Sequence, residues 1–278
     1  MKPLFRYLAA GSLMLCAQLS IAQVKMPAPS PGQTIHQDFA LSFVEVNYSR
    51  PAMKGRTIMG DLVPYGKVWR TGANSATTIT FGEDITFGGT AVKAGKYGLL
   101  TIPGQSEWTV ILSKSLDVTS PAAYKPENDV VRVKVAPIEL PYAIENFMIT
   151  FDNVQSNAAN LMLLWEKTLI TIPLTADVDS KVITQLDAAM KGEKKPYFQA
   201  ASYYFETNRD LKKALTWVDE AIKENPTAFW IATLKARIQA KSGDKKGAKA
   251  TAEKAIELAK TAKNDDYVVI NQKLIASL

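Results

Sequence analysis

The stretch TTITFGEDITFGGTAVKAGKYGLLTI, residues 77–102, contains the pattern on which the fold prediction for this chain rests. TTITF at its start and YGLLTI at its end read as half-buried strands, in which apolar residues alternate with others. Between them, FGED, FGGT and KAGK are glycine-containing turn signals. Strands that return this quickly, with no helical period between them, favour an antiparallel sheet.

The same pattern extends over residues 38–175. FALSFVEVNYS, WTVIL, VVRVKV and FMITF add strands, while PGQSE, KPEND and DNVQSN add turns. We therefore predict an antiparallel β-sandwich over this range. LMLLWEKTLITIPL, residues 161–174, fits either a hairpin that turns at Glu166 and Lys167 or one long bent strand, and its pattern does not decide between them.

Residues 176–278 follow a helical pattern and contain a repeat. DLKKALTWVDEAI at 210–222 aligns with DKKGAKATAEKAI at 244–256 after a shift of 34 residues, and both segments carry two alanines seven residues apart. Because this is the period of tetratricopeptide helical hairpins, we predict a tetratricopeptide-like hairpin array. The predicted fold class is therefore α+β multidomain, with an N-terminal β-sandwich followed by α-helices.

Residues 1–22 have the layout of a signal peptide. Lys2 and Arg6 precede the apolar run YLAAGSLMLCAQL, which is too short for a stable membrane span. We therefore predict export to the periplasm, or secretion as the alternative, after cleavage behind Ala22, with no transmembrane segment in the mature chain. The only cysteine, Cys16, leaves with this segment, which excludes disulfides and cysteine metal ligands from the mature protein.

Residues 23–37 form a Pro-rich leader that we predict to be extended and flexible. His36, the sole histidine, falls in this leader and reads as a solvated loop residue. Since a catalytic triad or a histidine metal site would need it, we predict no metal site, and we predict no cofactor. The net charge of +6 is modest for 278 residues, so we predict no nucleic-acid partner.

The strongest cluster of candidate binding residues lies between Tyr48 and Asn74. It combines several cations and aromatic residues with the single acid Asp61. Arginine forks bind anionic oxygens and aromatic faces stack on ligands, which predicts the ligand-binding residues Arg50, Lys54, Arg56, Trp69, Arg70 and Asn74. The alternative is that these residues satisfy buried backbone groups of a long loop, with Trp69 covering the edge of the core.

The segments SRPAMKGRTIMGDLVPYGKVWRTGANSATTITF (49–81) and AGKYGLLTIPGQSEWTVIL (94–112) resemble a bacterial family known as domain of unknown function 2911. The resemblance covers about residues 38–175. It implies an exported domain that is common in Bacteroidetes-type bacteria and is sometimes followed by tetratricopeptide-like helices. It implies no established activity, so it assigns no catalytic residue.

Two functions fit these observations, and envelope scaffolding without a small ligand is a third possibility. The first is a non-enzymatic binding or interaction protein of the bacterial envelope, in which the sandwich binds a small anionic or carbohydrate ligand and the helical repeats contact a protein partner. The alternative is a carboxylate-dependent hydrolase of an envelope glycan or another polymer, with acids drawn from Glu45, Glu145, Asp152 and Glu166. Because acidic residues on strand faces are usually solvated or paired, we favour the first.

Overall fold

The computed structural model describes residues 26–278, so the predicted signal peptide, its cleavage site and Cys16 lie outside the described residues. The chain divides into two compact units between Ala176 and Asp177. Within the described residues, ten β-strands lie in the first unit and six α-helices in the second. The predicted α+β fold class is confirmed.

The strands form two antiparallel sheets, with the order β1-β2-β3-β6-β7-β8 in one and β5-β4-β10-β9 in the other. Their bounds are β1 Gly32–Phe39, β2 Ser42–Ser49, β3 Thr78–Phe81, β4 Ile85–Phe87, β5 Thr90–Val92, β6 Gly95–Ile102, β7 Trp108–Ser113, β8 Asp129–Val135, β9 Ile138–Asp152 and β10 Ala158–Thr175.

One hydrophobic cluster contains side chains from both sheets. Val46 and Ile79 of the first sheet and Phe87, Leu161 and Ile172 of the second are fully buried in it. Because alternate residues of a strand face the same side of a sheet, the alternating pattern in the sequence places one apolar face of each sheet in this shared core. The predicted antiparallel β-sandwich is confirmed.

The predicted flexible leader over residues 23–37 needs a correction, because β1 begins at Gly32. This strand pairs with β2 in continuous register from Gly32 opposite Ser49 to Phe39 opposite Ser42. The proline-rich composition that marks the leader ends at Pro31. The following residues instead alternate exposed and half-buried positions, as in a strand at the edge of a sheet.

Two short strands within residues 77–102 are not evident from the sequence. ITF forms β4 and TAV forms β5, both in the second sheet. The chain therefore leaves the first sheet after β3 and returns to it at β6. Each strand has three residues, which is too few to show a period. Gly88 and Gly89 join them with φ values of 53° and 88°, a turn geometry that glycine favours.

The structure of β10 decides between the two alternatives for residues 161–174, a hairpin or one long bent strand. It is one strand of 18 residues with an irregularity at Glu166, where its pairing with β9 shifts register on both sides. Glu166 has a φ of 53°. These are the properties of a β-bulge, which bends a strand without ending it.

The second unit consists of helices α1 Val178–Ala189, α2 Tyr197–Glu206, α3 Leu211–Glu224, α4 Phe229–Lys241, α5 Lys245–Thr261 and α6 Asp265–Ala276. From α2 onwards, consecutive helices contact each other. Among residues 26–278, no helix combines the length and apolar character needed to cross a membrane.

The 34-residue repeat in the sequence corresponds to matching features of α3 and α5. Asp210 accepts hydrogen bonds from the backbone N–H groups at the start of α3, and Asp244 does so at the start of α5. The paired alanines of both helices, Ala214, Ala221, Ala248 and Ala255, are buried. Small side chains there allow close helix packing, and the tetratricopeptide-like arrangement remains a prediction.

Candidate functional site

The predicted binding residues lie on the long connection between β2 and β3, residues 50–77, which contacts both sheets. Ala52 forms an antiparallel bridge with Asn146 of β9, and Trp69 forms one with Thr101 of β6. The connection therefore runs from one sheet to the other, and backbone pairing holds it at both places.

Two of the predicted cations bind backbone carbonyl groups. The Nε of Arg50 donates to the carbonyl of Phe147 at 3.0 Å. Arg56 donates from Nε to Met53 at 2.9 Å and from Nη2 to Ala52 at 2.7 Å. These donors satisfy backbone carbonyls of the connection itself and of β9, which corresponds to the structural alternative for this cluster.

Lys54 and Asn74 also have positions that stabilise the loop. Their φ values are 50° and 58°, in the left-handed region that asparagine tolerates better than most residues. The backbone N–H of Lys54 donates to Oε1 of Glu145 at 3.0 Å. The side-chain amide of Asn74 donates to the carbonyl of Ser30, also at 3.0 Å.

Trp69 packs into an aromatic cluster at the edge of the sandwich core. Its ring centroid lies 5.0 Å from that of Phe147, 5.8 Å from Trp165 and 6.5 Å from Trp108. Its Nε1 donates to the carbonyl of Gly72 at 3.0 Å. These contacts hold the Trp69 ring in place, so it forms a rigid part of the wall of any neighbouring cavity.

Arg70 differs from Arg50 and Arg56 because one of its donors is buried without a partner. Its Nη1 donates to the carbonyl of Thr119, while its buried Nε has no hydrogen-bond partner among the described residues. Thr119 follows Val118, which packs with Leu100 and Ile111 in a separate small cluster. Arg70 therefore joins two loops and retains one donor in a buried position, where a missing partner is costly.

Two cavities share Trp69 and Arg70 as part of their walls. The larger, which we call the Arg70 cavity, has a volume of about 380 Å³ and is lined by Leu62, Val63, Pro64, Lys67, Val68, Trp69, Arg70, Thr119, Ser120 and Pro121. The smaller has a volume of about 260 Å³ and is lined by Ser30, Pro51, Arg56, Leu62, Val63, Trp69, Arg70, Gly72, Ala73 and Trp165. The structure thus brings Arg56, Trp69 and Arg70 together, whereas Arg50, Lys54 and Asn74 line neither cavity.

A third cavity, which we call the Glu166 cavity, lies beside the bulge of β10. Its volume is about 280 Å³. Polar groups predominate in its lining, which consists of Thr57, Met59, Tyr65, Gly104, Gln105, Trp108, Pro137, Ile138, Glu139, Glu166, Lys167 and Thr168.

Of the four acids considered for a hydrolase, only Glu166 lines one of these three cavities. Its Oε2 accepts from the backbone N–H of Met59 at 3.1 Å, and its Oε1 accepts from that of Ile58 at 3.4 Å. Glu166 therefore holds the loop of residues 57–64 against β10. Glu139, which is not one of those four acids, lines the same cavity.

His36 lies in β1 and not in a flexible leader, so its interpretation as a loop residue was wrong. It is opposite Glu45 in the register of β1 and β2, and its Nδ1 lies 3.5 Å from Oε2 of that residue. Its ring stacks on Phe43 with centroids 4.8 Å apart. Within the described part of the chain, no group of three or more His, Cys, Asp or Glu side chains is placed to bind a metal ion.

Tyr124, on the same loop as Thr119, has an altered acidity. Burial, followed by its 2.5 Å hydrogen bond to Oδ2 of Asp129, raises the pKa of the Tyr124 hydroxyl to about 12. Nη1 of Arg132 donates to the same carboxylate oxygen at 3.1 Å. This group anchors the loop that forms one side of the Arg70 cavity.

The helical unit has a groove of about 210 Å³ between α2, α4 and α6. Trp230, with 38% of its surface exposed, and Ile270, with 43%, lie at this groove. Its lining consists of Phe198, Ser202, Glu206, Trp230, Thr233, Leu234, Arg237, Tyr267 and Ile270.

Several residues of these cavities were not predicted from the sequence. Gln105, Thr119, Glu139 and Lys167 are single polar residues in turns and strands, and no motif surrounds them. Only the folding of the sandwich brings them next to the connection between β2 and β3, so the sequence contains no local signal for them.

Comparison with known proteins gives one match. Residues 30–174, slightly more than half of the chain, match the sequence model of a family described as a protein of unknown function, DUF2911. No curated protein and no solved structure matches the chain.

Proposed function

This chain belongs to the DUF2911 family, whose description names no activity, and from that premise we propose that it is an exported, non-enzymatic binding protein of the bacterial envelope. The ligand we propose for the Arg70 cavity is a small anion with an apolar part. The location in the envelope rests on the signal-peptide pattern of residues 1–22. N-terminal sequencing of the periplasmic protein tests it, and we expect the mature chain to begin at Gln23.

The unpartnered Nε of Arg70 is the observation on which this proposal mainly depends. A guanidinium group presents several N–H donors in a fixed plane and binds carboxylate or phosphate oxygens through two of them. Arg50 and Arg56 donate to backbone carbonyls. Arg70, in contrast, retains a buried donor beside a cavity, and an anionic oxygen would satisfy it.

The remaining lining of the Arg70 cavity supports the apolar part of the ligand. Lys67 adds a second cation, while Leu62, Pro64, Val68 and Trp69 provide apolar surface. The volume of about 380 Å³ lies within the range of small-molecule sites, about 300–1,000 Å³. A polar head bound at Arg70 with a hydrocarbon part against these side chains fits the lining.

Melting temperature tests this proposal, because a ligand that binds only the folded state raises it. The mature protein is heated with decanoate, with decyl phosphate and, as a neutral control, with 1-decanol. We expect the two anions to raise Tm and the alcohol to have little effect. Arg70→Ala should abolish the increase caused by the anions.

Asn74→Ala is the matched control for this experiment. It removes a hydrogen bond to Ser30 and lies outside the lining of the Arg70 cavity. Its Tm without ligand should fall, but the increase caused by the anions should persist. If neither anion raises Tm, or if Arg70→Ala retains the full increase, the proposed anion site is wrong.

The alternative function, a hydrolase, has less support. Two carboxylates, Glu139 and Glu166, line one cavity, as glycan hydrolysis requires. However, both oxygens of Glu166 accept backbone hydrogen bonds from the loop of residues 57–64, so this carboxylate already has a structural role. An assay for new reducing ends after incubation with soluble envelope glycans tests this alternative, and we expect no release.

We also propose that the helical unit binds a protein partner at the groove between α2, α4 and α6. Trp230 and Ile270 are large apolar residues that are partly exposed there, and exposed aromatic residues are common in protein interfaces. Copurification from envelope extracts tests this proposal. Partners recovered with the wild-type chain should be lost with Trp230→Ala and retained with Lys246→Ala, which alters a lysine outside the groove.

A further inference from the structure

We propose that the Glu166 cavity is a second binding site, which takes a neutral saccharide. It is separate in chemistry and in lining residues from the Arg70 cavity, so it does not depend on the anion proposal. None of its lining residues belongs to the six binding residues predicted from the sequence.

Polar side chains without a partner in the protein are numerous among the residues that line this cavity. Six of its lining residues, Thr57, Tyr65, Gln105, Glu139, Lys167 and Thr168, form no side-chain hydrogen bond or ion pair with any other residue in the range 26–278. Arg50, Arg56 and Asn74 differ in this respect, because their side chains donate to backbone carbonyls.

Hydrogen bonds hold the walls of the cavity in place. Glu166 binds the backbone N–H groups of Ile58 and Met59, which holds one wall against β10. The backbone N–H of Gly66 donates to the carbonyl of Pro103 at 2.8 Å, which holds Tyr65 next to the turn that carries Gln105. A site that is already ordered binds a ligand with a smaller entropic cost.

Close packing also orients the aromatic ring of the site. A Cβ atom at Gly60 would lie 2.7 Å from the Tyr65 ring, so the absence of a side chain there lets the ring approach the loop backbone. The Tyr65 side chain remains partly exposed, with 38% of its surface accessible. Tyr65 is also one of the residues that line the cavity.

The hydrogen-bonding groups of the lining indicate the chemistry of the ligand. Glu139 supplies an acceptor, Lys167 a donor, and Gln105 and the threonine hydroxyls both. The lining contains two carboxylates, Glu139 and Glu166, and one cation, Lys167, so it offers an anion no net attraction. A sugar offers hydroxyl groups that both donate and accept, and an apolar C–H face that can pack on Tyr65. The volume of about 280 Å³ matches a small ligand.

Titration calorimetry on the full mature protein tests this proposal. The probes are maltotriose, cellotriose and N,N′,N″-triacetylchitotriose. We expect at least one of them to bind. Tyr65→Ala should weaken the affinity about tenfold, because it removes the aromatic surface, whereas Tyr65→Phe, which keeps the ring, should weaken it less.

The polar residues are tested with matched controls. Glu139→Gln and Lys167→Met should each weaken the affinity about tenfold, because each removes a charged hydrogen-bonding group. Glu127→Gln and Lys96→Met alter exposed residues outside the cavity and should leave the affinity unchanged. Since Glu139 and Lys167 are exposed and unpaired, these two variants should fold normally even if Tyr65→Ala does not.

The outcomes also separate the two proposed sites. Arg70→Ala should bind the saccharide with unchanged affinity. The saccharide proposal is overturned if no probe binds, or if a probe binds and both Glu139→Gln and Lys167→Met retain its full affinity. Either result leaves the anion proposal intact, because that one is tested with other ligands and another residue.

Discussion

At the scale of single residues, Tyr124 links local chemistry to the stability of the loop beside the Arg70 cavity. Burial and the hydrogen bond to Asp129 raise its pKa to about 12. Because the pKa of an unfolded tyrosine is about 10, the folded state holds this proton more tightly. The contribution of Tyr124 to the free energy of unfolding is therefore complete below about pH 10, and it is lost as the pH rises through about 12.

This dependence of stability on pH can be measured. The free energy of unfolding of the wild-type chain should fall between about pH 10 and 12, and it should fall less in Tyr124→Phe. Urea denaturation at a series of pH values checks it. Tyr203, in the helical unit, also has a pKa raised to about 12, by burial and by its hydrogen bond to Asp179, so Tyr203→Phe serves as the control for that unit. Parallel curves for the wild-type chain and Tyr124→Phe would contradict the argument.

The predicted arginines show how much the sequence reveals about the role of a single side chain. The sequence indicates that Arg50, Arg56 and Arg70 belong to one loop, because they are close along the chain. It does not show that all three bind backbone carbonyls, or that Arg70 alone among them keeps a buried donor without a partner. That difference depends on Phe147 and Thr119, which lie far away in the sequence, so only the folded structure gives it.

At the scale of elements, the bulge of β10 connects the strand to the loop of residues 57–64. Glu166 has a positive φ and binds two backbone N–H groups of that loop. Glu166→Ala should lower the free energy of unfolding by about 2 kcal/mol, because these donors lose a charged acceptor. Urea denaturation measures the change. Glu139→Gln, in the same cavity but without protein partners, should have an effect near zero.

The Glu166→Gln variant refines this prediction. Its amide oxygen can still accept a hydrogen bond from one of the two backbone N–H groups. The free energy of unfolding of Glu166→Gln should therefore lie between that of the wild-type chain and that of Glu166→Ala. A Glu166→Ala variant as stable as the wild-type chain would show that the loop does not depend on the carboxylate.

Elements differ in how far they can be predicted, and the reason is their length. β2 and β6 have eight residues each, enough for alternation to be visible. β4 and β5 have three each, and their identity depends on pairing with β10 and with each other. The pairing of β10 shifts at Glu166, whose carboxylate binds a loop that is distant in the sequence, so the bent shape of this strand could not be read from its pattern.

At the scale of the whole molecule, each unit has its own hydrophobic core. The cluster of the sandwich ends with residues of β10 and Ala176, whereas the cluster of the helical unit begins with Leu186. The composition changes at the same place: residues 23–175 carry 13 Lys and Arg against 13 Asp and Glu, and residues 176–278 carry 18 against 14. The charge balance of the chain therefore changes at the boundary between the two units.

Separate cores predict that each unit folds by itself. We expect fragments 23–176 and 177–278, expressed separately, to show β-rich and helical circular dichroism respectively, each with a cooperative thermal transition. A cut within β10, giving fragments 23–166 and 167–278, is the matched control. It removes Ile170, Ile172 and Leu174 from the sandwich core, where each is fully buried, so the shortened sandwich should lose its transition. If fragment 23–176 also lacks a cooperative transition, the sandwich depends on the helical unit and the premise of separate cores is wrong.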